Sequence, residues 1–250
     1  MENFELLRLI FFVFLAGFID SIAGGGGLIA LPAYIATGIP IHSALGSNKF
    51  SSTFGTALSV GVFLKNKKVY LRPIVPSVVC ALLGSALGAR LALLTNDDVL
   101  RQLLIIAVPI VAIFVLIKKD FGEHNRTSEL SGRTIMLGSG LASLLIGTYD
   151  GFFGPGTGSF LIFVFTFALK FDLVTASGNA KIINLASNIG SLVMFIITGQ
   201  VLYAIAIPAA FAGVFGNFLG SNLAIKIGPK IIRPVFVLVL GILLFSIINN

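Results

Sequence analysis

Two aspartates, two lysines and two glycine-rich breaks are the residues of this chain whose types and spacing could do chemistry. Asp20 and Asp150 are the acids set well inside apolar runs, and each opens a stretch of small residues. These stretches are Asp20-Ser-Ile-Ala-Gly24-Gly25-Gly26-Gly27 and Asp150-Gly-Phe-Phe-Gly154-Pro155-Gly156-Thr157-Gly158-Ser159. Neither suits a regular helix, since each Gly costs ~1 kcal/mol and each Pro ~3 kcal/mol relative to Ala. A helix that restarts after such a break offers unpaired N–H groups, a positive dipole end and no Cβ to hold an oxyanion away. Small residues also allow close helix packing in membranes. The clustered runs favour the anion site, and the isolated Gly84 and Gly88 favour packing.

Lys49 and Lys181 lie several residues into apolar segments, where an ammonium is costly unless it has a partner. An anion is one such partner, and the adjacent Asn48 and the nearby Asn179 add hydrogen-bond donors. Snorkelling to the interface is the other reading, but the appearance of a lysine in both halves favours a site. Arg90 has no basic counterpart and is assigned to snorkelling. The candidate binding set is therefore Gly24, Gly25, Gly26, Gly27, Asn48, Lys49, Gly154, Gly156, Gly158, Asn179 and Lys181. For Asp20 and Asp150 three roles fit equally: proton coupling, because burial favours the protonated acid; an ion pair with Lys49 or Lys181; or a cap on the restarting helix.

Other chemistries find little support. His42 and His124 have no metal-ligand spacing around them, and the single Cys80 permits no internal disulfide, so neither a metal nor a cofactor is expected. Gly154-Pro-Gly-Thr-Gly-Ser lacks the Gly-Lys-Ser/Thr ending of a phosphate-binding loop, so ATP is not expected to power this chain directly.

The elements that must position these residues are membrane helices. Mean hydropathy is +1.03 and only 11% of residues are charged, against roughly 25% in soluble domains. Runs such as Leu9 to Ile19, Leu103 to Ile117 and Pro234 to Ile248 are apolar all round. A formal charge of +7 raises the question of nucleic acid, but the basic residues sit in short connections between apolar runs. Lys65, Lys67, Lys68 and Arg72 form one cluster; Lys118, Lys119, Arg126 and Arg133 a second; Lys226, Lys230 and Arg233 a third. That placement follows the positive-inside rule and excludes nucleic acid as the partner. Met1 to Arg8 lacks the basic region of a signal peptide, so the first apolar run reads as a membrane helix.

Ten apolar segments are expected, at about 4–22, 28–40, 43–64, 73–94, 100–117, 133–150, 156–170, 176–198, 201–225 and 231–248. The second and seventh are too short to span, since ~14 residues reach about 21 Å, and each reads as a half-helix folding back on its predecessor at a Gly-rich tip. The chain also repeats itself. Lys181 follows Lys49 by 132 positions, and the same shift places Ala176 on Ala44, Gly178 on Gly46, Pro208 on Pro76, and Gly216, Leu219, Gly220, Leu223 and Ala224 on Gly84, Leu87, Gly88, Leu91 and Ala92. Asp150 follows Asp20 by 130. Equivalent loops carry opposite charge patterns. Lys65 to Arg72 is basic where Gly199 to Tyr203 is uncharged, and Asn96 to Arg101 holds two aspartates where Lys226 to Arg233 is basic. The halves should therefore be inverted, with an odd number of crossings each. The expected fold is an all-α polytopic bundle in one membrane domain. Residues 1–118 form the first repeat, 119–132 a cytoplasmic connection and 133–250 the second repeat, and both termini lie outside an inner or plasma membrane.

The Gly-rich runs, the Gly46-Ser-Asn-Lys49 and Gly178-Asn-Ala-Lys181 motifs and the duplicated layout resemble the sulfite exporter TauE/SafE family of membrane permeases. The resemblance implies transport of a small sulfur-containing anion such as sulfite or a sulfonate. Pro155 departs from the plain glycines of the first half, so the two breaks are not expected to have identical roles. The expectation is a non-enzymatic secondary transporter that alternates access around a central oxyanion site, with lipid, the anion and a coupling proton or cation as partners. The sequence leaves the oligomeric state undetermined. An anion channel on the same frame fits as well, an intramembrane enzyme using Asp20 and Asp150 fits less well, and a membrane scaffold would tolerate replacement of both lysines.

Overall fold

The computed structural model describes residues 3–96, 98, 99, 102, 122, 124–228, 230–232, 234 and 235. The expected segments 100–117 and 231–248 fall almost wholly outside them. Among the described residues the chain is helical, with no strand. The helices are α1 (Asn3–Ala23), α2 (Gly27–Ile35), α3 (Ile41–Lys65), α4 (Ile74–Leu94), α5 (Gly132–Phe152), α6 (Thr157–Phe167), α7 (Leu173–Ile197) and α8 (Tyr203–Ile227), with a 3₁₀ turn at Thr127–Glu129. Local sequence sets several of the starts. Ser131 and Asp172 cap α5 and α7 by accepting from the amides of Thr134 and Thr175, and Pro40 and Pro73 stand just before α3 and α4.

Among the described residues five helices, α1, α4, α5, α7 and α8, are long and apolar enough to cross a membrane. α3 matches α7 and α8 in length, at 25 residues, but is richer in Ser, Thr, Asn and Lys. α2 and α6 have 9 and 11 residues, the half-helices expected from the glycine breaks, although α2 stops at Ile35 rather than at residue 40. A turn at Thr37 and Gly38 occupies the difference.

Packing is tightest where glycines face backbone. α1 lies along α8 and α4 along α5: a Cβ on Gly216 would stand 2.1 Å from the Phe14 carbonyl oxygen, and one on Gly88 would stand 2.0 Å from that of Thr148. Gly84 faces the Leu144 carbonyl in the same way, so the isolated glycines of α4 are packing residues. α3 and α7 cross the centre antiparallel, since Gly46 meets Gln200 at one end and Gly178 meets Lys68 at the other.

The polarity of the bundle is the reverse of a soluble protein's. Val75, Val79, Leu83, Leu87 and Leu91, one stripe of α4, are all exposed, as are Phe211, Phe215 and Phe218 on α8. The buried residues include Asn48, Lys49, Asp150, Lys181, Asn184 and Asn188. A chain with apolar flanks and a charged interior is solvated by lipid and built around a polar site, and the protein is an integral membrane protein. Two apolar clusters flank that polar layer, one containing Phe63, Phe165 and Phe171 and the other Leu31, Tyr34 and Phe195.

Candidate functional site

The two glycine breaks meet each other. The Ser159 amide donates to the Gly24 carbonyl at 3.2 Å and the Ser159 hydroxyl to the Ala23 carbonyl at 2.7 Å. Gly24 has φ +78°, and a Cβ there would stand 2.2 Å from the carbonyl carbon of Gly158. Only glycine fits both the left-handed backbone and this approach. Gly154, at φ +90°, likewise turns the chain toward Lys49, whose Nζ lies 3.2 Å from where its Cβ would be.

Two ion pairs cross between the first and second halves of the chain. The Lys49 ammonium on α3 meets Asp150 of α5 at 2.7 Å, and the Lys181 ammonium on α7 meets Asp20 of α1 at 2.6 Å. Lys181 also donates to the backbone carbonyl of Asp20. Lys49 donates to Asn188 Oδ1 at 3.1 Å, and the Ser187 hydroxyl donates to Asp150. Neither lysine snorkels: their side chains are 3% and 0% exposed. Burial without these partners would strand a charge in a medium that penalises it by several kcal/mol. Asp20 serves two of its candidate roles at once, since its other oxygen accepts from the Gly26 amide at 3.3 Å, ahead of α2.

A cavity opens beside this cluster. Its volume is about 40 Å³, room for a few waters or one small oxyanion at the ~10–15 Å³ that one water occupies on this scale. Of the residues singled out in the sequence, Gly24, Gly26, Gly27, Asn48, Lys49, Gly154, Gly158, Asp20 and Asp150 line it, whereas Gly25, Gly156, Asn179 and Lys181 do not. Asn179 donates to the Thr175 carbonyl along its own helix, and its Oδ1 is buried without a hydrogen-bond partner. The loop amides are partly engaged within the protein. Gly26 gives its N–H to Asp20, Thr157 to the Gly154 carbonyl and Ser159 to the Gly24 carbonyl. Of these, the Ser159 amide joins the two breaks, and the other two close turns within their own break.

The cavity recruits residues that the sequence reading passed over: Ser52 and Thr56 on α3, Asn184 and Asn188 on α7, and Asn217 on α8. The signal for most of them was present. Lys49, Ser52 and Thr56 are spaced i, i+3, i+7, as are Lys181, Asn184 and Asn188, which places each set on one helical face. Asn217 gave no such signal. It is placed by tertiary packing, with its amide nitrogen against Gly17 of α1 and Gly55 of α3 and its oxygen accepting from Ser59 at 2.8 Å. Among the described residues no cluster of His, Cys, Asp and Glu could hold a metal ion.

A polar cluster of this kind, enclosed by lipid-facing helices, suits passage of a solute better than a soluble reaction. Comparison with known proteins agrees. A probable membrane transporter protein of Escherichia coli K12, YfcA, is 38% identical over 239 residues, covering 95% of this chain and 88% of that protein. A probable membrane transporter protein of Haemophilus influenzae is 37% identical, covering 94% and 91%. One from Sinorhizobium, ORF9, is 35% identical, covering 94% and 90%. No solved structure matches the chain. The Sulfite exporter TauE/SafE family profile matches residues 9–247, and the chain therefore belongs to this family of membrane transporters.

Proposed function

We propose that the protein is a secondary permease for a small anion, sulfite or an organosulfonate, working by alternating access in the cell membrane. The observation that carries this reading is the Lys49 ammonium, buried at the edge of a cavity sized for a small oxyanion, with Asn48, Asn184, Asn188 and Asn217 around it. A positive charge ringed by amides recognises a compact oxyanion through charge-assisted hydrogen bonds. Asp20 and Asp150 are the carboxylates available to a coupling proton or cation.

The two halves, 1–118 and 133–250, form inverted repeats, both termini lie outside, and substrate passes where the halves meet. Several symmetric features support this. α1 packs on α8 as α4 packs on α5, each pair side by side. The ion pairs are crossed in equivalent fashion. Phe63 and Phe195, both fully buried and 132 positions apart, occupy equivalent places in the two apolar clusters.

The test is uptake of radiolabelled sulfite, sulfate, thiosulfate and small sulfonates into vesicles holding the purified protein, with an imposed pH gradient. Saturable uptake with counterflow of one of these anions supports the permease. Flux without counterflow supports an anion channel on the same frame, and no flux of any of them removes the substrate class.

A further inference from the structure

The two ion pairs are alike in sequence but not in setting. Lys49 and Asp150 both line the cavity, whereas of the second pair only Asp20 does. Lys181 is sealed away, held by the Asp20 carboxylate and the Asp20 backbone carbonyl together. An anion in the cavity can thus reach one ammonium, and that ammonium already carries a carboxylate. Asp150 occupies Lys49 as a resident anion, steadied by the Ser187 hydroxyl while Asn188 takes a second Lys49 proton.

Charge balance then constrains what happens when substrate arrives. The cluster of Asp20, Asp150, Lys49 and Lys181 is neutral as drawn, two charges of each sign. Among the described residues, α2, α6 and α8 add no charged side chain to the cavity. A monoanion entering it would leave one net negative charge buried among apolar helices, which is unfavourable unless a positive charge accompanies it. Of the two cavity carboxylates, Asp150 is the one that loses its cation when an anion takes Lys49, because Asp20 keeps Lys181.

We propose that the substrate anion replaces Asp150 at Lys49, and that Asp150, deprived of its cation, takes up one proton from the open side, so that one proton binds with each monoanion. The inference rests on the anion-permease reading and deepens it. Asp150 is the coupling carboxylate, Lys49 the shared cation, and the Asp20–Lys181 pair a structural tie between α1 and α7. In proton terms the step is balanced: one H⁺ leaves water, one carboxylate becomes a carboxylic acid, and the occupied cluster has the same net charge as the empty one. Release of the anion returns Asp150 to Lys49 and the proton to water.

The test is proton counting on the purified full-length protein in weakly buffered detergent solution with a pH-indicating dye. Sulfite and methanesulfonate are the probes; methanesulfonate keeps one charge throughout, so any proton taken up belongs to the protein. The expected result is one proton per methanesulfonate bound, and a dissociation constant for the wild-type protein that rises about tenfold per pH unit once Asp150 is ionised in the free state, as one-proton linkage requires. Asp150→Asn should bind the probe at least as tightly, take up no proton and lose the pH dependence, while Lys49→Ala should bind neither probe measurably. Binding to the wild-type protein with no proton and no pH slope overturns the exchange and leaves the permease standing. Proton uptake that persists in Asp150→Asn and vanishes in Asp20→Asn overturns the assignment of the coupling group. If neither probe binds the wild-type protein, the anion reading fails and the exchange falls with it. The pH slope needs no variant, so it decides whether a proton enters with the anion even if the substituted proteins fail to fold.

Discussion

Lys49 and Lys181 stand at matched positions on α3 and α7, each bonded to an aspartate from the other half of the chain, yet one faces a cavity and the other is sealed. Residue type therefore does not separate the two pairs; what separates them is that the cavity reaches Lys49 and stops short of Lys181. The difference teaches that two like charged pairs inside a membrane can differ in whether their cation can be reached, and reach is what the proposed exchange at Lys49 requires.

The largest effect should come from removing the reachable cation. Lys49→Ala is expected to reduce saturable sulfite uptake by about 100-fold or more, as loss of a charge-assisted contact together with a stranded Asp150 would do. Lys181→Ala should instead strike stability, since breaking a buried pair by removing one partner costs about 3–5 kcal/mol, visible as a lowered melting temperature in detergent. The double replacement Asp20→Leu with Lys181→Met should recover most of that stability, and with it probe binding. The matching replacement Asp150→Leu with Lys49→Met should recover stability but not binding. Equal loss of binding from both double variants would abolish the distinction between the pairs.

A smaller effect is expected where the breaks meet. Gly24→Ala places a methyl group 2.2 Å from the Gly158 carbonyl carbon on a left-handed backbone and should destabilise by about 1–3 kcal/mol through overpacking and strain. Gly61→Ala on α3 meets nothing within 4 Å and serves as the silent control, both read by thermal melting.

Smaller again is the contribution of single amides. Asn217→Ala should weaken anion binding roughly tenfold, in line with one hydrogen bond to a charged group, whereas Asn179→Ala, outside the cavity, should leave the affinity unchanged. Equal losses from the two would enlarge the site toward Lys181.

The least effect should come from an ion pair that water can reach. Glu129 bonds Arg126 and Lys170 outside the membrane helices, and those two cations hold its carboxyl down to about 2. Because the folded value lies below the ordinary 4.5, any stabilisation is present above that ordinary value and disappears as pH falls through about 2. The group is exposed, so Glu129→Gln should leave melting at neutral pH nearly unchanged, in contrast to the pair at Lys49 and the pair at Lys181.

Much of this molecule was legible in the sequence because membranes impose a strict code. Apolar length marked α1, α4, α5, α7 and α8 as spans, and glycine clusters marked the half-helices α2 and α6, since neither feature depends on distant residues. The lysines and aspartates stood out because charge within an apolar run requires a partner. The i, i+3, i+7 stripes of α3 and α7 were equally available and would have led to Ser52, Asn184 and Asn188.

By itself the sequence determined that the chain is a membrane bundle, that Asp20, Lys49, Asp150 and Lys181 are charges set inside apolar runs, and that the helices break at two glycine runs. All three follow from local composition acting against lipid. Only the tertiary structure decided which lysine meets which aspartate, that the two glycine breaks touch at Gly24 and Ser159, and that Asn217 lines the cavity while Lys181 does not. Those outcomes depend on distances between helices far apart in the chain. A repeat in sequence constrains what the two halves contain, but the cavity belongs to whichever arrangement of them the packing selects.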